Sequence, residues 1–399
     1  MADLKRSGRL GILVMNQIAA EGLGRLPADR YQVGKSIVEP DAILVRSADL
    51  HRVAIAATVK AIGRAGAGTN NIPVNARSAR GVPVFTAPGA NANAVKELVI
   101  AGMLMAARNL PAAVRFVDQL DASAPDLDIR VEEGKKQFGG IEIAGRTLGV
   151  IGLGRIGCGV ADAAIGLGMR VIGFDPEITV EAAWSLPAQV QRATSVIEVL
   201  KRADFVTVHV PLVDATRHLI GEPQLAVMKP GATLLNFSRD AVVAVGPVIA
   251  ALEARRLDRY VCDFPEAALI GHPRVIALPH LGASTQEAEV NCAIMVANQL
   301  RDYLENGNIR HSVNFPEAVA PRESAFRVAI ANANVPNMLG QISSAMAQAG
   351  LNIHNMVNKS RADMAYTLVD VDSPVADDVT RTLASIHGVL SVRAIPAEG

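Results

Sequence analysis

Leu148-Gly149-Val150-Ile151-Gly152-Leu153-Gly154-Arg155-Ile156-Gly157 is the stretch whose reading decides the fold. It reads as the end of a buried strand, a tight glycine turn and the first turn of a helix. Gly152, Gly154 and Gly157 have the G-x-G-x-x-G spacing. The first glycine allows a sharp turn, the second lets backbone approach a pyrophosphate, and the third lets helix pack closely on strand. Free N–H groups at the helix N-terminus would then face the phosphates, where the macrodipole favours negative charge.

The surroundings agree with that reading. Thr147 to Ile151 is apolar and β-rich, Arg155 to Leu167 has apolar residues at helical spacing, and Met169 to Phe174 is a second apolar run ending in Asp175. Asp175 lies about 18 residues past Gly157, where a dinucleotide fold places a carboxylate for the adenosine ribose hydroxyls. An acid there repels a 2′-phosphate, so NAD is expected rather than NADP.

The chain has 399 residues, enough for two or three domains. Half of them are hydrophobic and a fifth are charged, an ordinary α/β composition. Lys+Arg and Asp+Glu are equal at 39 each, so net charge points to neither nucleic acid nor an anionic membrane as partner. Cys158, Cys262 and Cys292 are scattered and lack C-x-x-C pairing, which fits a reducing, cytoplasmic setting. The apolar run Leu10 to Met15 is too short for a signal-peptide core and reads as a first strand. None of the eight histidines has metal-ligand spacing, so no metal is expected.

From the N-terminus, strands are expected at Arg9–Met15, Ala42–Val45, Val59–Gly63 and Val82–Phe85, with helical patterns between them. Ala94 to Asn109 follows as a long helix, apolar on most faces and expected to lie buried between domains. Leu110 to Ile143 is mostly helical and then polar. Strands continue at Phe205–Val210, Thr233–Phe237, Tyr260–Phe264 and Val275–Leu278, the alternation of a parallel sheet. Ligands bind beyond the carboxyl ends of such strands, where Asp175, His209, Arg239, Asp263 and His280 should converge. Glu287 to Glu305 is a helix, and Gly307 to Arg322, with Pro316 and Pro321, reads as a linker. Phe326 to Ile395 then has the order βαββαβ, a split βαβ module of ferredoxin-like type.

Taken together, the chain resembles the D-2-hydroxyacid dehydrogenase family, in the form carrying a C-terminal ACT domain. The resemblance rests on Thr147 to Pro176, on Asn236-Phe237-Ser238-Arg239 and on Leu278-Pro279-His280-Leu281-Gly282-Ala283-Ser284-Thr285, with Asn334-Val335-Pro336-Asn337-Met338 a looser match. It implies an α/β architecture: a Rossmann-type doubly wound parallel sheet at 94–285, a split flavodoxin-like substrate domain at 1–93 and 286–315, and a ferredoxin-like ACT domain at 316–399. It implies reversible hydride transfer between C2 of a phosphorylated 2-hydroxy acid and NAD, with 3-phospho-D-glycerate on the route to L-serine as the expected substrate. Another D-2-hydroxy acid, or a non-catalytic NAD-sensing regulator on the same fold, stays open.

The resemblance also implies roles. His280 would take the proton from the 2-hydroxyl, and Arg239 would bind the carboxylate and polarise the carbonyl. The family's acid falls two residues after the proline of a Phe-Pro strand end. Here Pro265 is followed by Glu266, and the usual slot holds Ala267. Either Glu266 pairs with His280 or Asp263 helps instead. Cofactor contacts are expected from Gly152, Gly154, Arg155, Ile156, Gly157, Asp175, His209, Val210, Pro211, Thr216, Ser238, Asp263 and Gly282. Arg46, Ser47, Arg64, Ala65 and Gly66 are expected around the phosphorylated substrate, since paired arginines suit a dianion. In the tail, Asn332, Asn334 and Asn352 would meet a regulatory amino acid, L-serine; alternatively the tail only assembles the protein. A homodimer or homotetramer is expected.

Overall fold

The computed structural model describes residues 8–396. The strands are β1 Leu10–Met15, β2 Tyr31–Gly34, β3 Ala42–Val45, β4 Ala61–Arg64, β5 Val84–Phe85, β6 Thr147–Ile151, β7 Arg170–Phe174, β8 Gln191–Arg192, β9 Phe205–Val208, β10 Ala232–Asn236, β11 Leu257–Cys262, β12 Val275–Ala277, β13 Phe326–Ala333, β14 Ile353–Arg361, β15 Met364–Val371 and β16 Val389–Ile395. The backbone divides into two compact units, one of residues up to Ala90 with Glu289 onward, the other Asn91–Ala288.

In the first unit β1 to β5 form a parallel sheet in the order β2-β1-β3-β4-β5, a flavodoxin-like order. The helix Gln286–Asn306 closes on it. A Cβ at Gly63 of β4 would stand 2.4 Å from Val296 of that helix, so only glycine admits the approach. β13 to β16 form a separate antiparallel sheet, β14-β15-β13-β16, crossed by the helices Met338–Gln348 and Asp377–Ala384. The βαββαβ order read from the sequence is therefore present. One apolar core joins both sheets, running from Ile12 and Leu44 through Tyr303 and Phe315 to Tyr366 and Ile395.

Three local expectations are corrected here. β2 was not among the expected strands; it is a four-residue edge strand in which Gln32 and Gly34 interrupt the apolar run that marks the equally short β3. Residues 46–60, between β3 and β4, hold turns and bends rather than a helix. The segment expected as a linker is packed: Ile309, Phe315 and Ala318 are fully buried, and Ile309 and Ala318 exchange backbone hydrogen bonds. Its prolines signal the absence of regular structure, which is a different property from exposure.

The second unit is a seven-stranded parallel sheet, β12-β11-β10-β9-β6-β7-β8. The strands with buried faces are β-branched and apolar; β8, unread in the sequence, is an exposed two-residue edge. Apolar clusters cover both faces. The helix Ala92–Ala107 buries a stripe, including Val95, Val99, Gly102 and Met103, and at Gly102 it runs against Phe237 and Val261. Strand order reverses between β6 and β9, the crevice where open α/β sheets bind ligands.

Candidate active site

The switch point sets Gly152 after β6 beside His209 after β9. Gly152 has φ +92°, and a Cβ there would lie 2.6 Å from the His209 carbonyl oxygen. That position requires glycine twice over, by conformation and by space. A Cβ at Gly157 would lie 1.9 Å from the Gly152 oxygen, so the third glycine is the close-packing one. A Cβ at Gly154 would meet open space. Gly154 is the N-cap of the helix Arg155–Gly166, and no side chain caps that end. Its N–H groups are thus available for an anion at the positive end of the helix dipole. Asp175, at the end of β7, accepts the N–H of Leu153 at 2.8 Å and that of Glu177 at 2.9 Å.

Burial of the His209 ring pushes its pKa down to about 3, so the imidazole is neutral near pH 7. Nε2 lies 2.9 Å from the Thr207 hydroxyl, while Nδ1 is buried with no partner among the described residues. Val210 packs beside Gly152. Pro211 leads into a 3-10 turn that Thr216 closes, its hydroxyl donating to the Pro211 carbonyl at 2.5 Å and accepting from the Val213 N–H.

Beyond β10 the buried Asn236 organises the next loop. Its Oδ1 accepts from the Ser238 N–H and hydroxyl, and its Nδ2 donates to the Arg239 carbonyl at 2.9 Å. The Arg239 guanidinium lies over its own loop, donating to the Ser238 carbonyl at 2.6 Å. Beyond β11 the carboxylate of Asp263, 1% exposed, accepts the N–H groups of Leu281 and Gly282, both at 2.7 Å, and its carbonyl accepts the His280 N–H. His280 itself has φ +58°, and its ring packs at 4.9 Å against Phe264. Glu266 begins the following short 3-10 helix, and no hydrogen bond joins it to His280 among the described residues. Asp263 is the acid that shapes the histidine's loop, acting through backbone rather than through the ring.

In the first unit Arg46 directly follows β3 and Arg64 ends β4, neighbouring strands paired at Val45↔Arg64. Asn71 ties them together. Its Oδ1 accepts from Arg64 Nε at 2.9 Å, and its Nδ2 donates to the carbonyls of Arg46 and Ala48. Asn16, at φ +71° after β1, accepts the N–H groups of Ser47 and Ala48. Arg64 lies over Gly66, where a Cβ would be 2.6 Å from Nη1. Ala65 is buried in strand-like pairing with Val45. Asn16, Asn71 and Asn236, which support these loops, are not among the site residues expected from the sequence. Asn16 follows β1, Asn236 ends β10 and Asn71 stands in the loop after β4, positions where an asparagine reads as an ordinary turn residue.

In the tail the Asn332 amide is buried, donating to the Ala333 carbonyl while Oδ1 lacks a partner among the described residues. Asn334 donates to the Ala362 carbonyl. Asn337 caps the helix Met338–Gln348 from φ +62°, and Asn352 is exposed, pairing its backbone with Asp372.

These features define an α/β sheet with a crevice of the dinucleotide-binding type at its switch point. A family profile described as D-isomer specific 2-hydroxyacid dehydrogenase, NAD binding domain, matches residues 100–282. The chain is 33% identical to D-3-phosphoglycerate dehydrogenase of Escherichia coli K12 over 84% of its length and 81% of that protein's. It is 39% identical to D-3-phosphoglycerate dehydrogenase of Methanocaldococcus jannaschii over 71% of its length, spanning about half (53%) of that longer protein. The NAD+-bound 3-phosphoglycerate dehydrogenase structure of Entamoeba histolytica shares the fold, with TM-score 0.59 and 24% identity over 77% of this chain and 99% of that one. The chain belongs to the D-isomer-specific 2-hydroxyacid dehydrogenases and is an NAD-dependent oxidoreductase. The residues present fit the cofactor: an uncapped helix start, open space over Gly154 and an orphaned ring nitrogen on His209 all stand at one crevice.

Proposed function

We propose that this chain oxidises 3-phospho-D-glycerate to 3-phosphohydroxypyruvate, the first step of L-serine biosynthesis. The observation that carries the reading is the Arg46–Asn71–Arg64 cluster, which fixes two guanidinium-bearing loops beside each other and suits a phosphate dianion. The names of the E. coli and M. jannaschii relatives support the same substrate.

NAD supplies the hydride acceptor for C2. Gly152, Gly154 and the N–H groups from Arg155 to Gly157 would hold the pyrophosphate and Asp175 the ribose, while Val210, Pro211, Thr216, Ser238 and Gly282 would line the remaining contacts. Arg239 swings from the Ser238 carbonyl to the substrate carboxylate. His280 accepts the 2-hydroxyl proton; neutral His209, with its low pKa, is not the base. Asp263 holds the histidine's loop; Glu266 is the acid that would pair with the His280 ring, although no hydrogen bond joins the two among the described residues.

Residues 316–399 serve as an ACT-type regulatory domain that L-serine occupies through Asn334 and Asn352; the buried Asn332 supports the loop from within. Assembly as a homodimer or homotetramer is supported by the helices Leu110–Asp118 and Leu127–Gly134, which bury no residue and expose Val114, Val117 and Ile129 to about 60%. Three buried free cysteines fit the cytoplasm.

The test is NADH formation with 3-phospho-D-glycerate against D-glycerate. A kcat/KM at least a hundredfold higher for the phosphorylated acid is expected, as two charge-assisted arginine contacts imply. Equal or reversed preference overturns the assignment.

A further inference from the structure

Arg46 is already occupied. Its Nη2 lies 2.6 Å from Oε1 of Glu289, on the helix Gln286–Asn306, and neither side chain is buried, at 37% and 43% exposure. We infer that Glu289 is a specificity-determining residue, a competing carboxylate that holds the Arg46 guanidinium until the anionic end of the substrate displaces it. The inference rests on the reading that Arg46 meets that anionic end.

Both backbones are held, so the exchange involves side chains alone. On the arginine's side, Asn71 bonds the Arg46 and Ala48 carbonyls, and Asn16 takes the N–H groups of Ser47 and Ala48. On the other, the turns after Glu289 are anchored by Cys292, Ala293 and Val296 in the core. A pair exposed to this degree holds weakly. A phosphate offers more acceptor oxygens and twice the charge, so it wins the guanidinium through bidentate bonds. The displaced carboxylate then stays within side-chain reach of a dianion and opposes it. Glu289 thus taxes a doubly charged ligand more than a singly charged one, and sets the affinity for the phosphorylated substrate below what two arginines would allow.

Glu289→Gln keeps the size and an acceptor for Arg46 while removing the charge. It should lower KM for 3-phospho-D-glycerate about three- to tenfold, with a much smaller effect on kcat and on KM for D-glycerate; the gain should shrink at high salt. Calorimetry with inorganic phosphate supplies a readout independent of turnover. Phosphate should bind Glu289→Gln more tightly than the unmutated protein, and the difference should vanish when Arg46→Ala is present in both. Failure to oxidise 3-phospho-D-glycerate would sink the substrate assignment and leave the phosphate titration to decide on Glu289. Phosphate affinity unchanged or weakened by Glu289→Gln, or a gain that survives Arg46→Ala, overturns the inference.

Discussion

Asp175 accepts the backbone N–H of Leu153 at 2.8 Å. The acid expected to meet the ribose is therefore also the group that holds the glycine turn, since Leu153 is the residue between its first two glycines. Cofactor choice and turn geometry share one carboxylate.

The two roles can be separated. Asp175→Ala orphans the N–H of the buried Leu153 and should cost about 1–3 kcal/mol of stability, as well as weakening NAD binding. Asp175→Asn retains one acceptor for Leu153, and water can serve the exposed Glu177 N–H. That variant should melt near the unmutated protein yet discriminate less against NADP. Titration of both cofactors alongside thermal melts checks this. A preference for NADP in the unmutated protein would remove Asp175 from the ribose.

His280→Ala should reduce kcat by roughly 10²–10⁴-fold while NAD still binds, because the proton acceptor is lost and the glycine crevice is not. Asp263→Asn tests the positioning role. One of the two N–H groups of Leu281 and Gly282 would then face an amide NH₂, shifting the loop that carries His280. A fall in kcat greater than the rise in KM for NAD is expected, and Asp263→Glu should not restore it, since the acid is fully enclosed. If His280→Ala turns over normally, the proton goes elsewhere.

Arg327 of β13 and Asp370 of β15 are cross-strand neighbours, fully buried, bonded at 2.6 and 2.8 Å. The remaining N–H groups of Arg327 reach the carbonyls of Asn306, Ala320 and Pro321, fastening the tail sheet to the segment before it. Burial raises the Asp370 pKa, but the Arg327 hydrogen bonds outweigh it and the carboxyl ends below its ordinary 3.8. A lowered folded-state pKa means that the pair's stabilisation is complete above the unfolded value near 4 and is lost as pH falls through the folded value. Asp370→Asn should destabilise by about 3–5 kcal/mol by stranding a buried guanidinium, whereas replacing both partners with Met and Leu should cost far less. Denaturant melts between pH 7 and pH 3 decide it: a loss in Asp370→Asn that equals that of the double replacement would show that the charge pair is not what holds the segment.

The dinucleotide unit was legible because its requirements are local. The glycine spacing, the apolar runs around it and the acid at the next strand end are each consequences of backbone geometry within one βαβ turn. The tail's βαββαβ order was legible for the same reason, each element carrying its own period. The edge strands β2 and β8 were not: β8 is two exposed residues, and in β2 Gln32 and Gly34 break the apolar run. Nor was the burial of residues 307–322, because proline and glycine announce irregular backbone without saying what covers it.

Residue types near strand ends could be read from the chain: His280, Arg239, Asp175, Arg46 and Arg64 are where the alternation of the sheet predicts functional groups. Their partners could not. That Asn71 binds Arg64 and the Arg46 carbonyl, that Glu289 reaches Arg46 across 243 positions of sequence, and that Asp263 rather than Glu266 holds the His280 loop are matters of tertiary structure. The sequence by itself determined which elements form and which side chains stand at their ends, because propensity and periodicity act over a few residues. Only the packed fold decided which groups face each other, because hydrogen bonds and charges act over a few ångströms and are indifferent to separation along the chain.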